Sequence, residues 1–250
     1  MTLIIGFGHK ARNGKDEAIK AIIAANPTRD IRRYGFGDAL KREVNEAAVA
    51  AGGMEKLFPV CVPDLLPILE IIEPGARYMT TVSPTRKFEM ISYDPNPDMS
   101  DPLCPYGKQR ALLQWWGTEF RRAQDPDYWV KKTMDRIASD RPEVALICDL
   151  RFPNEMAGIN GVGGYCVRVS RLGYKSDVPE HISEHALDDV DRMDWDHVIE
   201  VPDGNLEQLQ EEAVNAFELL DDANRSIPRY RYDKAQRTIL PIGNLISTID

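Results

Sequence analysis

One segment near the start of the chain, Gly8-His-Lys-Ala-Arg-Asn-Gly14-Lys15-Asp16, restricts the fold more than any other part of the sequence. The apolar residues 2–7 that precede it are typical of a short buried strand. After it, apolar side chains recur with a helical period over residues 15–25. A strand, a glycine-containing loop and a helix follow one another in this order. Five residues separate Gly8 from Gly14-Lys15, one more than in the pattern G-x-x-x-x-G-K, which the segment otherwise resembles. We therefore predict a phosphate-binding loop.

Each part of this segment has a physical role in holding a phosphate chain. Gly8 and Gly14 let the backbone turn its N–H groups inward, and the following helix adds its positive N-terminal end. Lys15 supplies an ammonium for the β- and γ-phosphates. Asp16 stands where serine or threonine is usual, and its carboxylate is a candidate magnesium ligand because hard cations prefer oxygen. We therefore predict that these four residues and Arg12 bind ATP with Mg²⁺.

The same residues also fit the dinucleotide fingerprint G-x-G-x-x-A, at Gly6, Gly8 and Ala11. That fingerprint requires an acidic residue at the end of the second strand, about 20 residues further on. Asp30 lies near that distance but before the predicted second strand, and the fingerprint leaves Lys15 without a role. We therefore rank the phosphate loop first and keep a nicotinamide oxidoreductase as a remoter alternative.

Further strands and helices alternate along the chain. The continuous apolar run over residues 144–148 is expected of a central parallel strand that is buried on both faces. Strands that alternate with helices predict an α/β fold, with a mostly parallel sheet and right-handed crossovers. The other predicted strands cover residues 30–36, 165–170 and 197–201, and the other predicted helices cover residues 39–51, 108–122, 126–139 and 205–220.

Residues 55–107 interrupt this alternation and hold nine of the seventeen prolines. Long irregular segments in compact proteins are usually functional lids or disordered insertions. We predict an irregular insertion with one short helix, which is a candidate substrate-covering region within a single domain over residues 1–223. Residues 224–250 follow as a tail that fits no period well.

Composition narrows the choice of partners and compartment. Forty acidic against thirty-one basic side chains give a net charge of −9, which argues against nucleic acid or an anionic membrane as a partner. The four cysteines, at positions 61, 104, 148 and 166, form no C-x-x-C pair and fit a reducing cytosol. No apolar stretch has the length of a signal peptide or a membrane span. We expect a soluble cytoplasmic protein whose oligomeric state stays open, a homodimer included.

A second group of candidate site residues follows the apolar run 144–148. Asp149 and Arg151 lie at the end of that strand, the edge where α/β proteins place ligands. Pro153 favours the start of a helix, which would direct Glu155 back to the same edge. Asp149 is a candidate magnesium ligand, with capping of the next helix as the alternative role.

Five short motifs, taken in order, resemble those of bacteriophage deoxynucleoside monophosphate kinases: Gly14-Lys15-Asp16, Arg110-x-x-x-Gln114-x-x-Gly117-Thr118-Glu119, Asp127-x-Trp129-Val130, Asp149-x-Arg151-Phe152-Pro153-Asn154-Glu155 and Ser183-Glu184. The same skeleton is similar to that of animal phosphomevalonate kinases. The resemblance covers roughly residues 1–200, and the joint order of the motifs is more specific than any one of them. The Pro-rich insertion and the tail have no counterpart in it.

The resemblance implies a P-loop kinase of three α/β/α layers that moves the γ-phosphoryl group of ATP to a deoxynucleoside 5′-monophosphate, for nucleotide biosynthesis. It implies a location in the cytoplasm, which would be the host cytoplasm for a phage-encoded chain. It adds Glu17, at a position that is often Thr in the phage enzymes, to the ATP-binding residues. It also implies that Trp129 and Glu155 lie beside the acceptor sugar or base, with Asp149 near the metal and the acceptor.

Phosphoryl transfer between two polyanions requires cations and alignment rather than a strong base, because a phosphomonoester has a second pKa of about 6. We assign Lys15 and Arg12 to the donor, and Arg110 and Arg151 to the acceptor phosphate, which a guanidinium binds in bidentate geometry. Arg171 follows a predicted strand and is a candidate lid arginine. The alternative for Arg110 and Arg171 is a solvated surface charge. For Trp129 the alternative is core packing.

Other classes of protein remain as alternatives. His181-Ile-Ser-Glu184-His185 is a literal H-x-x-E-H zinc pattern, but a zinc peptidase would also need a third ligand and an open position for water. A kinase for another phosphorylated acceptor, such as phosphomevalonate, would keep the fold and the donor. A non-catalytic nucleotide-binding protein would bind ATP and transfer nothing.

Overall fold

A computed structural model describes residues 2–58, 62–72, 74–75, 91, 93–174, 185–226, 230–233 and 238–241. Contacts within the chain define two compact units. The first unit comprises Met1–Gly35 and Arg136–Asp250, and the second comprises Phe36–Asp135. Cys61, His181, Ser183 and Glu184 lie outside the described residues, and with them most of the H-x-x-E-H pattern.

The described chain contains seven strands and seven α-helices. The strands are β1 (Leu3–Gly8), β2 (Ile31–Tyr34), β3 (Val144–Leu150), β4 (Tyr165–Leu172), β5 (His197–Pro202), β6 (Tyr230–Asp233) and β7 (Thr238–Pro241). The helices are α1 (Lys15–Ala25), α2 (Phe36–Ala51), α3 (Val62–Ile72), α4 (Arg110–Gln114), α5 (Tyr128–Asp140), α6 (Pro153–Gly161) and α7 (Leu206–Ser226). Short 3₁₀ helices cover Met54–Leu57 and Arg192–Asp194, and a π-helix, Trp115–Arg122, continues α4.

The first unit is built on a five-stranded sheet in the order β2-β3-β1-β4-β5, and every neighbouring pair in it is parallel. All six residues of β1, the central strand, are buried. A strand that is covered on both faces must be apolar throughout, which explains the continuous apolar runs of β1 and β3.

Helices cover both faces of this sheet. Alternate residues of β1, such as Ile5 and Phe7, enter one core together with Ile19 of α1 and Phe217 of α7. The opposite face packs against α6, because a Cβ atom at Gly6 would lie 2.3 Å from Cδ1 of Ile159. The result is the α/β fold with a three-layer α/β/α arrangement that the sequence predicts.

The second unit is helical and comprises α2, α3, α4, the π-helix and the first part of α5. Within it, residues 93–109 have no regular structure but are ordered by side-chain turns. The carboxylates of Asp94, Asp98 and Asp101 each accept a hydrogen bond from the amide two residues further on. Such turns are a common way to satisfy backbone groups between prolines.

Most predicted elements of the first unit are confirmed, some of them with different ends. α1 covers the predicted residues 15–25. β4 continues to Leu172 and α7 continues to Ser226, past the predicted ends at 170 and 220. In the second unit, the predicted helix over residues 108–122 is confirmed from Arg110 onwards, as α4 followed by the π-helix. The predicted irregular character of residues 55–107 holds for residues 93–107, while α3 is the predicted short helix.

The tail contains an element that its sequence did not predict. β6 and β7 pair as an antiparallel two-stranded ribbon, with Tyr230 opposite Pro241. The predicted start of the tail at residue 224 falls within α7. The prediction of one domain over residues 1–223 stays a prediction, because compactness does not establish which part of a chain folds on its own.

Candidate functional site

Residues 8–16, from the last residue of β1 to the first turn of α1, are called the phosphate loop below, and both neighbouring strands hold this segment. The amide of His9 donates to the carbonyl of Leu150 at the end of β3, at 3.2 Å. On the other side, Nδ2 of the buried Asn13 donates to the carbonyl of Val169 in β4, at 3.0 Å. From β1 the chain crosses to β2, and from β3 it crosses in the opposite direction to β4. The phosphate loop therefore lies at a topological switch point, where α/β sheets bind ligands.

Lys15 is buried in this loop, with 6% of its surface exposed. Its Nζ atom donates to the carbonyl of His9 at 3.3 Å and to the carbonyl of Lys10. An ammonium is a compact charge on a flexible stem, and it can exchange carbonyl acceptors for phosphate oxygens. The ammonium group of the predicted phosphate-binding lysine is therefore held by two carbonyl groups of the phosphate loop.

Three residues of the phosphate loop have left-handed backbone conformations: φ is 90° at His9, 58° at Arg12 and 90° at Gly14. Glycine adopts this region without steric cost, and other residues adopt it rarely. Gly14 also passes close to α7, because a Cβ atom there would lie 2.4 Å from Cδ2 of Leu209. α1 starts at the next residue, so that its unsatisfied N-terminal amides and positive dipole end adjoin the loop.

Asp188, which lies before β5, binds two side chains of the phosphate loop. Its Oδ2 lies 3.0 Å from Nζ of Lys10, and its Oδ1 lies 3.3 Å from Nε2 of His9. Burial, reinforced by the charges of Arg168 and Lys10, lowers the pKa of His9 to about 4. Burial opposes ionisation of Asp188, but hydrogen bonds from His185 and Lys10 hold the pKa of its carboxyl below the usual range. At neutral pH the loop therefore carries a neutral imidazole beside an ionised carboxylate.

β3 has an irregular register beside Asp149. Gly6 pairs with Ile147 but Gly8 pairs with Leu150, so β3 contains one residue more than β1 between these two pairs. Bulges of this kind re-aim side chains and are frequent next to active sites. Without the extra residue, Asp149 would occupy the position opposite Gly8 on the face that α6 covers. Because of the bulge, Leu150 occupies that position instead. Asp149 is half-buried near the carboxyl end of β3.

Glu155 caps α6. Its Oε2 accepts hydrogen bonds from the amides of Arg151, at 2.7 Å, and Phe152, at 3.0 Å. The helix begins at Pro153, as predicted. Capping accounts for the burial of Glu155, and its predicted contact with an acceptor stays a prediction. Arg151 is half-buried directly after β3, beside the strand end to which the phosphate loop is attached.

Asp16 and Glu17 lie in the first turn of α1 and both form ion pairs. Oδ1 of Asp16 lies 3.4 Å from Nε of Arg33, and Oε1 of Glu17 lies 2.6 Å from Nζ of Lys20. Among the residues described, no three His, Cys, Asp or Glu side chains form a metal-binding group. Mg²⁺ commonly takes only one or two carboxylates and fills its shell with phosphate oxygens and water. Asp16, which is exposed, and Asp149, which is half-buried, supply carboxylates of the kind that this donor set uses, and their joint binding of the ion stays a prediction.

Arg171 lies within β4, so its predicted position after the strand was wrong. Its Nη1 donates to the carbonyl of Arg12 at 2.7 Å, and its Nε donates to Oδ1 of Asp203 at 3.0 Å. Its guanidinium also lies over the ring of Tyr174, 4.2 Å from the centroid. A role as a lid arginine stays a prediction, but the contacts of Arg171 include the backbone of the phosphate loop. Arg12 itself is exposed.

Arg110 and Trp129 belong to the second unit. Arg110 is exposed in the first turn of α4. Trp129 is 2% exposed, donates from Nε1 to the carbonyl of Gly117 at 3.0 Å, and packs edge-on against Tyr128. These contacts favour core packing for Trp129, one of the two roles that the sequence left open. Its predicted contact with an acceptor stays a prediction.

The π-helix is tied to a buried carboxylate that sequence reasoning missed. Trp116 Nε1 and Arg121 Nε donate to Oε1 of Glu43, at 2.7 and 2.6 Å, and the hydroxyl of Tyr128 donates to Oε2 at 2.6 Å. Trp116 and Arg121 are five residues apart, and the i→i+5 hydrogen bonds of a π-helix suit this spacing. π-Bulges are frequent at functional sites, and this one contains the Gly117-Thr118-Glu119 part of a motif.

Comparisons with known proteins add no family to these observations. No protein-family model matches the chain, and no curated protein matches it. Across the described ranges, the helices are all too short or too polar to cross a membrane. The kinase resemblance therefore rests on the motifs and their order alone.

Proposed function

We propose that the chain is a cytoplasmic ATP-dependent kinase that phosphorylates deoxynucleoside 5′-monophosphates. The observation that carries the proposal is the phosphate loop, in which the buried Lys15, the left-handed Gly14 and the start of α1 meet at the switch point of a parallel sheet. Such a loop binds a phosphate chain through backbone amides, one ammonium and the helix dipole. Asp149 lies on the neighbouring strand β3, and Arg151 follows directly after that strand.

The donor is bound by the phosphate loop. Lys15 exchanges its carbonyl acceptors for oxygens of the β- and γ-phosphates, and Arg12 adds a second cation from the exposed side of the loop. The neutral state of His9 limits the positive charge of the loop to Lys10, Arg12 and Lys15, and Asp188 already balances Lys10. Lys15 and Arg12 are the loop cations that we assign to the nucleotide.

The acceptor is a second phosphate group. One of its oxygens forms a bond to the γ-phosphorus as the bond from that phosphorus to the β–γ bridging oxygen breaks, and ADP leaves. Arg151 holds the acceptor phosphate in line with the donor, because a guanidinium binds two phosphate oxygens at once. Arg110 is the second candidate for this phosphate.

Magnesium is the cofactor that this donor set fits. Asp16 and Asp149 would supply carboxylate oxygens, and the ion would neutralise charge that develops on the phosphates. The bulge in β3 gives Asp149 its position near the carboxyl end of that strand. The ion pair of Asp16 with Arg33 would have to loosen for Asp16 to bind the ion.

A coupled ADP-release assay with ATP and Mg²⁺ tests the proposal across deoxynucleoside and ribonucleoside monophosphates, with phosphomevalonate included. The proposal predicts turnover with at least one deoxynucleoside monophosphate. Turnover with phosphomevalonate alone would keep the donor and replace the acceptor. ATP binding without ADP production would indicate a binding protein, and zinc-dependent peptide cleavage would contradict the proposal.

Two variants separate the roles of donor and acceptor residues. Lys15→Ala should lower kcat/KM about 10³-fold with every acceptor, because it removes a charge that stabilises the transferring group. Arg151→Ala should mainly raise the KM of the acceptor, by about 10-fold to 100-fold, as expected for the loss of charge-assisted hydrogen bonds. Lys20→Ala, on the exposed side of α1, is the matched lysine control. Equal and mild losses in both variants would contradict these roles.

A further inference from the structure

The peptide unit between Arg12 and Asn13 is a critical point of the phosphate loop. Arg12 has a left-handed conformation, which a non-glycine residue keeps only where its surroundings enforce it. Its carbonyl accepts the hydrogen bond from Nη1 of Arg171. In a planar trans peptide the N–H group points opposite to the carbonyl. Arg171 therefore fixes the direction of the Asn13 amide, one of the loop amides that the proposed function directs at phosphate.

Arg171 is itself held by Asp203, in the turn between β5 and α7. Oδ1 of Asp203 accepts hydrogen bonds from both Nε and Nη2 of the guanidinium. The backbone of Asp203 is attached to the end of β4, because its amide donates to the carbonyl of Leu172 at 3.0 Å. Stacking on Tyr174 restricts the same guanidinium from one face.

The geometry of a guanidinium links these contacts. Its N–H donors lie in one rigid plane, so that fixing Nε and Nη2 on a carboxylate also fixes the direction of Nη1. A lysine could bind either the carboxylate or the carbonyl, but it could not hold both in a fixed plane. The position of the Arg12 carbonyl thus depends on Asp203, which does not contact the loop in any of its described hydrogen bonds.

We propose that Asp203 is a positioning residue that, through Arg171, holds the phosphate loop in the shape that binds the donor phosphates. The proposal rests on the proposed function and adds to it a residue outside all of the motifs. Arg171 then holds the phosphate loop from β4, on one side, while the hydrogen bond of the His9 amide holds it to β3 on the other side.

Hydrogen exchange of the ligand-free protein tests the positioning itself. Asp203→Asn removes the charge and keeps the size of the side chain, and it should speed exchange of the loop amides from Arg12 to Lys15 about 5-fold, as expected for the loss of a partly exposed ion pair. The matched control is Glu200→Gln on β5, which removes the carboxylate that lies 2.8 Å from Nη1 of Arg192. The control should leave loop exchange unchanged.

Nucleotide binding tests the consequence. Asp203→Asn should raise the dissociation constant for ATP about 5-fold and leave the KM of the acceptor unchanged. Arg171→Ala should weaken ATP binding at least as much, and the double variant should lose no more than Arg171→Ala alone, because Asp203 acts through Arg171. Arg171→Lys should not restore the affinity.

The outcomes separate the two proposals. If the wild-type protein binds no ATP, the proposed function is contradicted. The rate of hydrogen exchange of the loop amides would still decide whether Asp203 holds the phosphate loop. Wild-type ATP binding with unchanged exchange and affinity in Asp203→Asn would overturn the positioning role. Additive losses in the double variant, or equal effects of Asp203→Asn and Glu200→Gln, would also overturn it.

Discussion

His9 offers a prediction whose magnitude follows from its surroundings. Its pKa of about 4 lies below the ordinary value of 6.5 because the ring is buried and lies near Arg168 and Lys10. A histidine with a lowered pKa binds fewer protons in the folded than in the unfolded protein. Its contribution to stability is therefore complete above pH 6.5 and declines as the pH falls from 6.5 towards 4. At about 1.4 kcal/mol for each pH unit, protonation of the folded loop costs about 3 kcal/mol.

The assay compares the wild type with His9→Gln, whose amide cannot titrate but can still donate to Asp188. Urea denaturation at pH 7 and pH 4.5 gives the free energy of unfolding at each pH. The wild type should lose about 2 kcal/mol more than His9→Gln between these two pH values, and the subtraction cancels the carboxylates that both proteins share.

An NMR titration of the His9 ring measures the same quantity directly. We expect a midpoint near pH 4 in the wild type. Asp188→Asn should lower the midpoint further, because the Asp188 carboxylate favours the protonated ring. A midpoint between pH 6 and 7, or equal pH dependence of unfolding in the wild type and His9→Gln, would refute the reasoning.

Two further predictions concern stability. Gly14→Ala should lower the free energy of unfolding by about 1–2 kcal/mol for the left-handed conformation alone, and by more because its Cβ atom overlaps with Leu209. Urea denaturation measures the loss. If Gly14→Ala costs as much in a Leu209→Ala background as in the wild type, the overlap with Leu209 is contradicted. Glu43→Ala should cost about 3–5 kcal/mol, because it leaves the buried guanidinium of Arg121 without its carboxylate. Glu46→Ala, on the exposed side of α2, serves as the control. If Glu43→Ala lowers the free energy of unfolding as little as Glu46→Ala does, the role of Glu43 is contradicted.

The sheet and its central loop could be predicted because their signals are local. The helical period over residues 15–25 predicted α1, and the apolar run from Val144 identified a strand buried on both faces. β4 was predicted too short, because its last two residues, Arg171 and Leu172, are not buried and continue no apolar pattern. The loop residues Gly14 and Lys15 were found because the phosphate-loop pattern is contiguous.

The supporting contacts could not be predicted in the same way, because they join distant parts of the chain. The bulge that turns Asp149 depends on the register between β1 and β3, which no local pattern contains. Asp203 is an ordinary turn residue until β4 brings Arg171 beside it. Glu43 lies in a helix rich in charged residues, so that its burial appears only once Trp116 and Arg121 pack against it.

A crystal structure with a non-hydrolysable ATP analogue, Mg²⁺ and a deoxynucleoside monophosphate tests the central claim most directly. We predict that the β- and γ-phosphates lie within hydrogen-bonding distance of Nζ of Lys15 and of the backbone amides from Asn13 to Lys15, with the acceptor phosphate on Arg151. A triphosphate bound elsewhere, with the phosphate loop empty, would contradict the account.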